Sequence, residues 1–256
     1  MAVKTSRPVL AVKRILKKTL PAGLLKLRRD YLSPNKYKNL TTQQVFTRIY
    51  EEGAWGKSPE AGDKFFSGSG SHNPAVVGVY VKAVEEFLSS FENKPKVVDL
   101  GCGDFFVGSQ VRNLCDQYIA CDIVEPVINF NREKYKKLNV DFRTLDITKD
   151  ELPAGDVVFV RQVLQHLPNE NIRAALDQIA AKYKYLVLTE HLPASDPFVH
   201  NIDKPAGPDD RVGFKSGLVV TSEPFNLPVR EDICLCEVAE RSGLGGVIRT
   251  NLYRLV

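Results

Sequence analysis

An α/β fold built on a doubly wound, mostly parallel sheet is what this sequence predicts, and three observations carry the prediction. Past Pro95, short β-branched apolar runs alternate with segments of helical periodicity, the β-α-β-α rhythm of a sheet with helices on both faces. The first of these runs ends in a Gly-x-Gly turn, Gly101-Cys102-Gly103. The last two strand-like segments flank Ser242-Gly243-Leu244-Gly245-Gly246 and read as a closing antiparallel hairpin. Five runs and a hairpin make a mostly parallel seven-stranded sheet, preceded by an N-terminal helical extension.

The extension comes first. Residues 1–38 hold eleven Lys and Arg against Asp30 alone, a net of +10, while the rest of the chain is net −6 out of a whole-chain +4. Val9, Val12, Leu16 and Leu20 recur three and four apart, with Lys13, Arg14, Lys17 and Lys18 between them, as an amphipathic helix requires. Pro21 and Gly23 end it. A second apolar and basic stretch runs from Leu24 to Leu32. Such an arm suits peripheral contact with an anionic membrane surface through residues 9–32. It equally suits packing of its stripe on the rest of the protein, or a transit peptide. No aromatic platform accompanies the charge, so no nucleic-acid partner is expected.

Residues 41–92 read as a helical cap. Val45, Phe46, Ile49 and Tyr50 have helical spacing, as do Val76, Val77, Tyr80, Val84, Phe87 and Leu88. Between them runs a Gly- and Ser-rich loop, Ser67-Gly68-Ser69-Gly70-Ser71-His72. Residues 93–256 hold the sheet. Its strands are expected at Lys96–Leu100, Tyr118–Asp122, Val140–Leu145, Asp156–Val160, Tyr185–Thr189, Ile233–Val238 and Val247–Val256, with helices near 105–115, 126–138 and 169–182. Residues 192–230 contain six prolines and no helical pattern; a connection that long reads as a lid or binding loop.

Composition excludes several classes. At 256 residues, 43% hydrophobic and 26% charged, the chain can bury a core without disulfides or metal. No apolar run reaches membrane-spanning length. The five cysteines form neither a CxxC pair nor a zinc-cage spacing, which favours a reducing compartment and a cytoplasmic location.

A strand running into Gly-x-Gly and then a helix suits ligand binding at the carboxyl edge of such a sheet. The dinucleotide fingerprint GxGxxG is absent, because Phe106 stands at its third glycine, and no Lys-Ser/Thr marks a Walker A loop. Asp99, Asp122 and Asp146 stand at three successive strand ends. Asp122 is placed to accept ribose hydroxyls, and Asp146 an adenine amino group. Each alone could be a helix cap.

Together, Asp99-Leu100-Gly101-Cys102-Gly103, Asp122 and Asp146 resemble the class I S-adenosylmethionine-dependent methyltransferases, over about residues 75–192 and the terminal hairpin. The resemblance implies a Rossmann-like fold, with S-adenosylmethionine as cofactor and S-adenosylhomocysteine as product. It implies that Asp99 belongs to the cofactor site and that the loop of Gly101, Cys102 and Gly103 lies against the methionine moiety. Asp122 with Ile123 would hold the ribose, Asp146 with Ile147 would flank the adenine, and Arg161 would join the cofactor site.

The acceptor side follows the fourth and fifth strands, in Arg161-Gln162-Val163-Leu164-Gln165-His166 and Thr189-Glu190-His191. An alcohol must lose its proton as it is methylated, and a histidine suits that task, so His166 and His191 are the candidate general bases. His166 could instead cap or pack against the following helix. Gln162, Glu190 and Arg211 are the candidate substrate-binding residues. Mg²⁺ is conceivable through Glu190, Asp196, Asp203, Asp209 and Asp210, but no spacing imposes a site. The Asn-Pro-Pro-Tyr type motif of DNA and glutamine methyltransferases is absent. The reading is therefore O-methylation of a small molecule or glycan hydroxyl. The alternatives are an N- or carboxyl-directed methyltransferase acting on a metabolite or protein, or a methyltransferase-like protein that binds without catalysis.

Overall fold

A computed structural model describes residues 36–60, 62–195, 197–240 and 245–256. The amphipathic basic arm, from Val9 through Leu32, lies outside the described residues. By their contacts residues 41–256 form one unit, which begins with three helices, α1 (Thr42–Glu52), α2 (Ser69–His72) and α3 (Pro74–Leu88). Helix α1 starts where Thr41 and Gln44 cap each other's backbone N–H groups and stops at Gly53, whose φ of 61° ends the helix in left-handed backbone. Helix α3 starts at Asn73, whose Oδ1 accepts from the N–H of Ala75, with Pro74 in its first turn. Both bury the faces that their apolar spacing predicts, Val45, Phe46 and Ile49 on α1 and Val76, Val77, Tyr80, Val84 and Leu88 on α3.

The sheet strands follow: β1 (Val97–Leu100), β2 (Tyr118–Asp122), β3 (Asp141–Thr144), β4 (Val157–Arg161), β5 (Tyr185–Leu192), β8 (Val229–Glu240) and β9 (Gly246–Leu255). Between β5 and β8 lie the two-residue strands β6 (Val199–His200) and β7 (Ser216–Gly217). The spatial order is β3-β2-β1-β4-β5-β9-β8. Strands β1 to β5 pair in parallel, β9 runs antiparallel beside β5, and β8 pairs antiparallel with β9 on the outside. Strand β1 is buried along its whole length, and β4 is buried except at Arg161. Their unbroken apolar runs need cover on both faces. The side chains of α3 pack into the same core as Val97, Phe105, Tyr118, Phe159, Val187 and Leu252.

Two expected helices are shorter than their sequence patterns. The region 105–115 yields only α4 (Gly108–Val111) and a 3-10 turn, because Phe105 takes a left-handed φ of 60° to bury its ring among Tyr118, Tyr135 and Phe142. The region 126–138 becomes α5 (Glu125–Lys134) and a second 3-10 turn. Helix α6 (Asn169–Lys182) matches its expected span.

The long proline-rich excursion is ordered by two buried polar hubs. Asn201 bonds the backbone of Val219 through both its Oδ1 and its Nδ2, and Nδ2 also donates to the Glu223 carbonyl. Arg211, 1% exposed, donates to the carbonyls of Leu164, Gln165, Leu167 and Ile202 and to Oδ1 of Asn169. No helix among the described residues is long and apolar enough to cross a membrane.

Candidate active site

In a doubly wound sheet the strand order reverses at one point, and the loops there part to leave a crevice at the carboxyl ends of the strands. Here that point lies between β1 and β4, and a cavity of about 370 Å³ opens over it. Its lining includes all nine residues expected at the cofactor: Asp99, Gly101, Cys102, Gly103, Asp122, Ile123, Asp146, Ile147 and Arg161. Gln162, His166 and His191 line it as well, whereas Glu190 and Arg211 do not.

The glycine turn is held from several sides. Gly101 and Gly103 have φ of 80° and 56°, backbone that a residue with a Cβ adopts only under strain. A Cβ at Gly101 would run into Cγ2 of Val163, and one at Gly103 into Oγ of Ser67. The close approach that requires glycine is therefore made first by the protein's own side chains. Asp122 is 7% exposed and accepts from the N–H groups of Gly103 and Val124, each at 3.0 Å. Burial raises its pKa, and those backbone bonds partly offset the rise. Each carboxylate oxygen keeps a lone pair for a further donor. Asp99 accepts from the Tyr118 hydroxyl at 2.9 Å, and burial pushes its pKa up to about 7. Asp146 accepts from the N–H and hydroxyl of Thr148 through Oδ1, so it caps its own turn while lining the cavity.

Arg161 ends β4 and reaches back to the Ser- and Gly-rich loop. It donates to Oγ of Ser71 at 3.0 Å and to the carbonyl of Gly70 at 2.8 Å, and it lies 5.0 Å over the Tyr80 ring. Its Nε is buried without a hydrogen-bond partner among the described residues. The loop is tied down further by Ser67, which exchanges bonds with Asp104 and meets the Tyr50 hydroxyl at 2.9 Å. His72 belongs to this support: its Nε2 lies 2.7 Å from Asp104, and its ring is sandwiched between Phe66 and Phe106.

On the far side of the cavity, His191 and Ile248 face inward from paired positions on β5 and β9. Nδ1 of His191 lies 2.7 Å from Oδ2 of Asp210, and its Nε2 is buried without a hydrogen-bond partner among the described residues. Its backbone N–H donates to Oε1 of Gln165. Burial acts to raise the Asp210 pKa, but the hydrogen bond and charge of His191 outweigh it and the net shift is downward. His166 differs. Burial, with the nearby Lys204 charge, pushes its pKa down to about 4, and its ring lies 5.3 Å from the Trp55 ring. Trp55 in turn donates to the carbonyl of Pro208 at 3.1 Å, so the loop after α1 and the proline-rich excursion meet above the cavity. Gln162 lines it with a left-handed φ of 54° directly after β4, a strained backbone of the kind that clusters at functional sites.

Two expectations need correction. Glu190 alternates with Thr189 and His191 along β5, and the latter two face Thr250 and the cavity, so its side chain points to the other face of the sheet. There it is 3% exposed, with no hydrogen-bond partner on either oxygen among the described residues. Arg211 spends its donors on the backbone around Leu164–Leu167 and stands behind the cavity wall rather than in it. Sequence reasoning also missed Asp210 as the partner of His191, since nothing local links positions 19 residues apart. Among the described residues no group of three or more His, Cys, Asp or Glu side chains is placed to hold a metal ion.

Residues 97–184 match the family model of a methyltransferase domain. That segment, 88 of the 256 residues, is similar to methyltransferase domains. Solved methyltransferases share its fold. Magnesium protoporphyrin IX methyltransferase from Synechocystis with bound S-adenosylmethionine is 14% identical with a TM-score of 0.54, over 85% of this chain and 99% of that one. The N-methyltransferase NodS from Bradyrhizobium japonicum, in complex with S-adenosylhomocysteine, is 13% identical with a TM-score of 0.52, over 70% and 88%. The N-terminal domain of EvdMO1 with S-adenosylhomocysteine is 17% identical with a TM-score of 0.52, over 82% and 96%. No curated protein matches the chain by sequence. The magnesium protoporphyrin IX methyltransferase structures hold S-adenosylmethionine or S-adenosylhomocysteine, and a sulfonium ligand of the first kind carries a positive charge. The cavity fits its charge: it is lined by Asp99, Asp104, Asp122, Asp146 and Asp210, with Arg161 the only Lys or Arg among the described lining residues, and a sulfonium cation is favoured in such a field.

Proposed function

We propose that this protein is an S-adenosylmethionine-dependent methyltransferase that methylates a hydroxyl oxygen of a small molecule or glycan, with His191 as the general base. When bound, S-adenosylmethionine supplies a methyl group on a sulfonium sulfur, open to in-line displacement by an oxygen nucleophile. The protein's task is then to position the two partners and to take up one proton. Asp122 and Ile123 hold the ribose, Asp146 and Ile147 flank the adenine, and the turn from Gly101 to Gly103 supports the methionine. Asp99 and Arg161 would face its amino and carboxyl groups.

The observation that carries the reading is the His191–Asp210 pair. A carboxylate at 2.7 Å from Nδ1 orients the ring and stabilises the imidazolium that forms when Nε2 accepts a proton. Nε2 has no hydrogen-bond partner among the described residues and lies buried beside Gly246, so its lone pair is not spent on them. His166, neutral down to about pH 4, serves instead as a wall against Trp55. The Trp55–Pro208 bond closes the cavity roof, which limits water in competition with the acceptor.

The basic arm, net +10 over residues 1–38, is consistent with peripheral attachment near a lipid-linked acceptor. The test of function is His191→Gln. Turnover with acceptor should fall at least a hundredfold while S-adenosylhomocysteine affinity stays within about twofold. Unchanged turnover would remove His191 from the chemistry.

A further inference from the structure

The acceptor end of the cavity also carries information about charge. It rests on the reading that His191 marks that end. Around His191 stand Trp55, Gln162, Gln165, His166 and Asp210. None of these side chains is a Lys or Arg, the nearby Lys204 and Arg211 stand outside the cavity lining and donate to backbone carbonyls, and the Arg161 guanidinium is engaged by Ser71, Gly70 and Gln162. A phosphate or carboxylate brought to this end would lack a cationic partner among the described lining residues and would face the carboxylate of Asp210. Like charges in a poorly solvated cleft repel strongly.

What the lining does offer is hydrogen-bonding capacity next to an aromatic surface. Asp210 uses Oδ2 for His191 and Oδ1 for the N–H of Val212, and each oxygen retains a lone pair for a donor. Trp55 presents a large amphipathic ring whose N–H is already satisfied by Pro208 and which packs against Phe46, Tyr50 and His166, with the rest of its carbon surface lining the cavity. A ligand that meets both demands has many hydroxyl donors, an apolar C–H face and no negative charge.

We propose that the acceptor is a neutral glycoside, an uncharged polyhydroxylated ring seated between Trp55 and the His191–Asp210 pair, and that phosphorylated or carboxylated acceptors are excluded. Trp55 is the only tryptophan in the 256-residue chain, so intrinsic fluorescence reports this subsite directly and without turnover. The full chain is first titrated with S-adenosylhomocysteine. Then, with that ligand saturating, it is titrated with methyl hexosides and their disaccharides, the matching hexose 6-phosphates, hexuronates and 2-amino sugars.

The expected result is a saturable fluorescence change with one or more neutral glycosides, and dissociation constants about tenfold or more weaker for their phosphates and carboxylates. Asp210→Asn should narrow that gap. Anionic sugars binding as well as neutral ones, no response to any neutral glycoside, or an amino sugar binding tenfold tighter than its neutral counterpart would each overturn the proposal. The last outcome would point to a cationic amine acceptor. A protein that fails to respond to S-adenosylhomocysteine in the first titration would instead strike at the cofactor assignments under the proposed function, which separates the two failures.

Discussion

Glu190 provides the sharpest quantitative test of the tertiary structure. Its carboxyl is 3% exposed and neither oxygen has a hydrogen-bond partner among the described residues. Burial pushes its pKa from 4.5 up to about 8, against the opposing influence of the Arg211 charge and of the nearby backbone N–H groups of Gln165 and Leu164. The folded protein therefore holds a proton that the unfolded chain releases near pH 4.5. For a group whose folded pKa is raised, the stabilising contribution is fully present below the unfolded pKa and is lost as pH rises towards the folded one. The window is thus about pH 4.5 to 8. At about 1.36 kcal/mol per pH unit, the full span amounts to about 5 kcal/mol, an upper bound because Arg211 sits close by.

Replacing the carboxyl with a neutral amide of the same shape, Glu190→Gln, removes this dependence. Urea denaturation of both proteins between pH 4 and 9 measures it. His166 and Asp99 also titrate in or near this window, but they are common to both proteins and cancel in the difference. That difference should grow steadily in favour of the variant from about pH 5 to 8 and then level off, reaching several kcal/mol. A difference that stays flat across the window would refute the argument, since it would mean that Glu190 is solvated or stably paired in the folded state.

Other outcomes follow from the same geometry. Arg211→Met, which strips five hydrogen bonds from the segment behind the cavity, should lower stability by about 3–5 kcal/mol in urea titration. Gly101→Ala, forced into a φ of 80° and against Val163, should lose about 2 kcal/mol or more of stability and weaken S-adenosylmethionine binding measured by calorimetry. Asp122→Ala should weaken the same binding at least tenfold, equivalent to about 1.4 kcal/mol, without unfolding the chain as judged by circular dichroism. Asp210→Asn should cut turnover by about 10–100-fold, the worth of one charge-assisted hydrogen bond, and leave cofactor affinity unchanged in the same titration.

Much of this molecule was determined by local sequence. Strand spans came from β-branched runs because a buried parallel strand needs apolar side chains on both faces, as Val97 and Val98 show with no exposed surface. The helices α1 and α3 were legible from apolar spacing and caps, and Gly101 to Gly103 with Asp122 and Asp146 marked the rim of the sheet. What only the tertiary structure decided is the pairing of distant chain. The Phe105 ring turned a helical pattern into an irregular turn because core space, not propensity, fixed its backbone. The placement of β9 between β5 and β8 set Ile248 beside His191. The excursion carried Asp210 to His191 and buried Arg211 behind the wall, and the two-residue period of β5 turned Glu190 away from the cavity that its neighbour faces. Local periodicity records which residues are apolar and how the backbone repeats; which side chains meet across long loops is set by the packing of the whole.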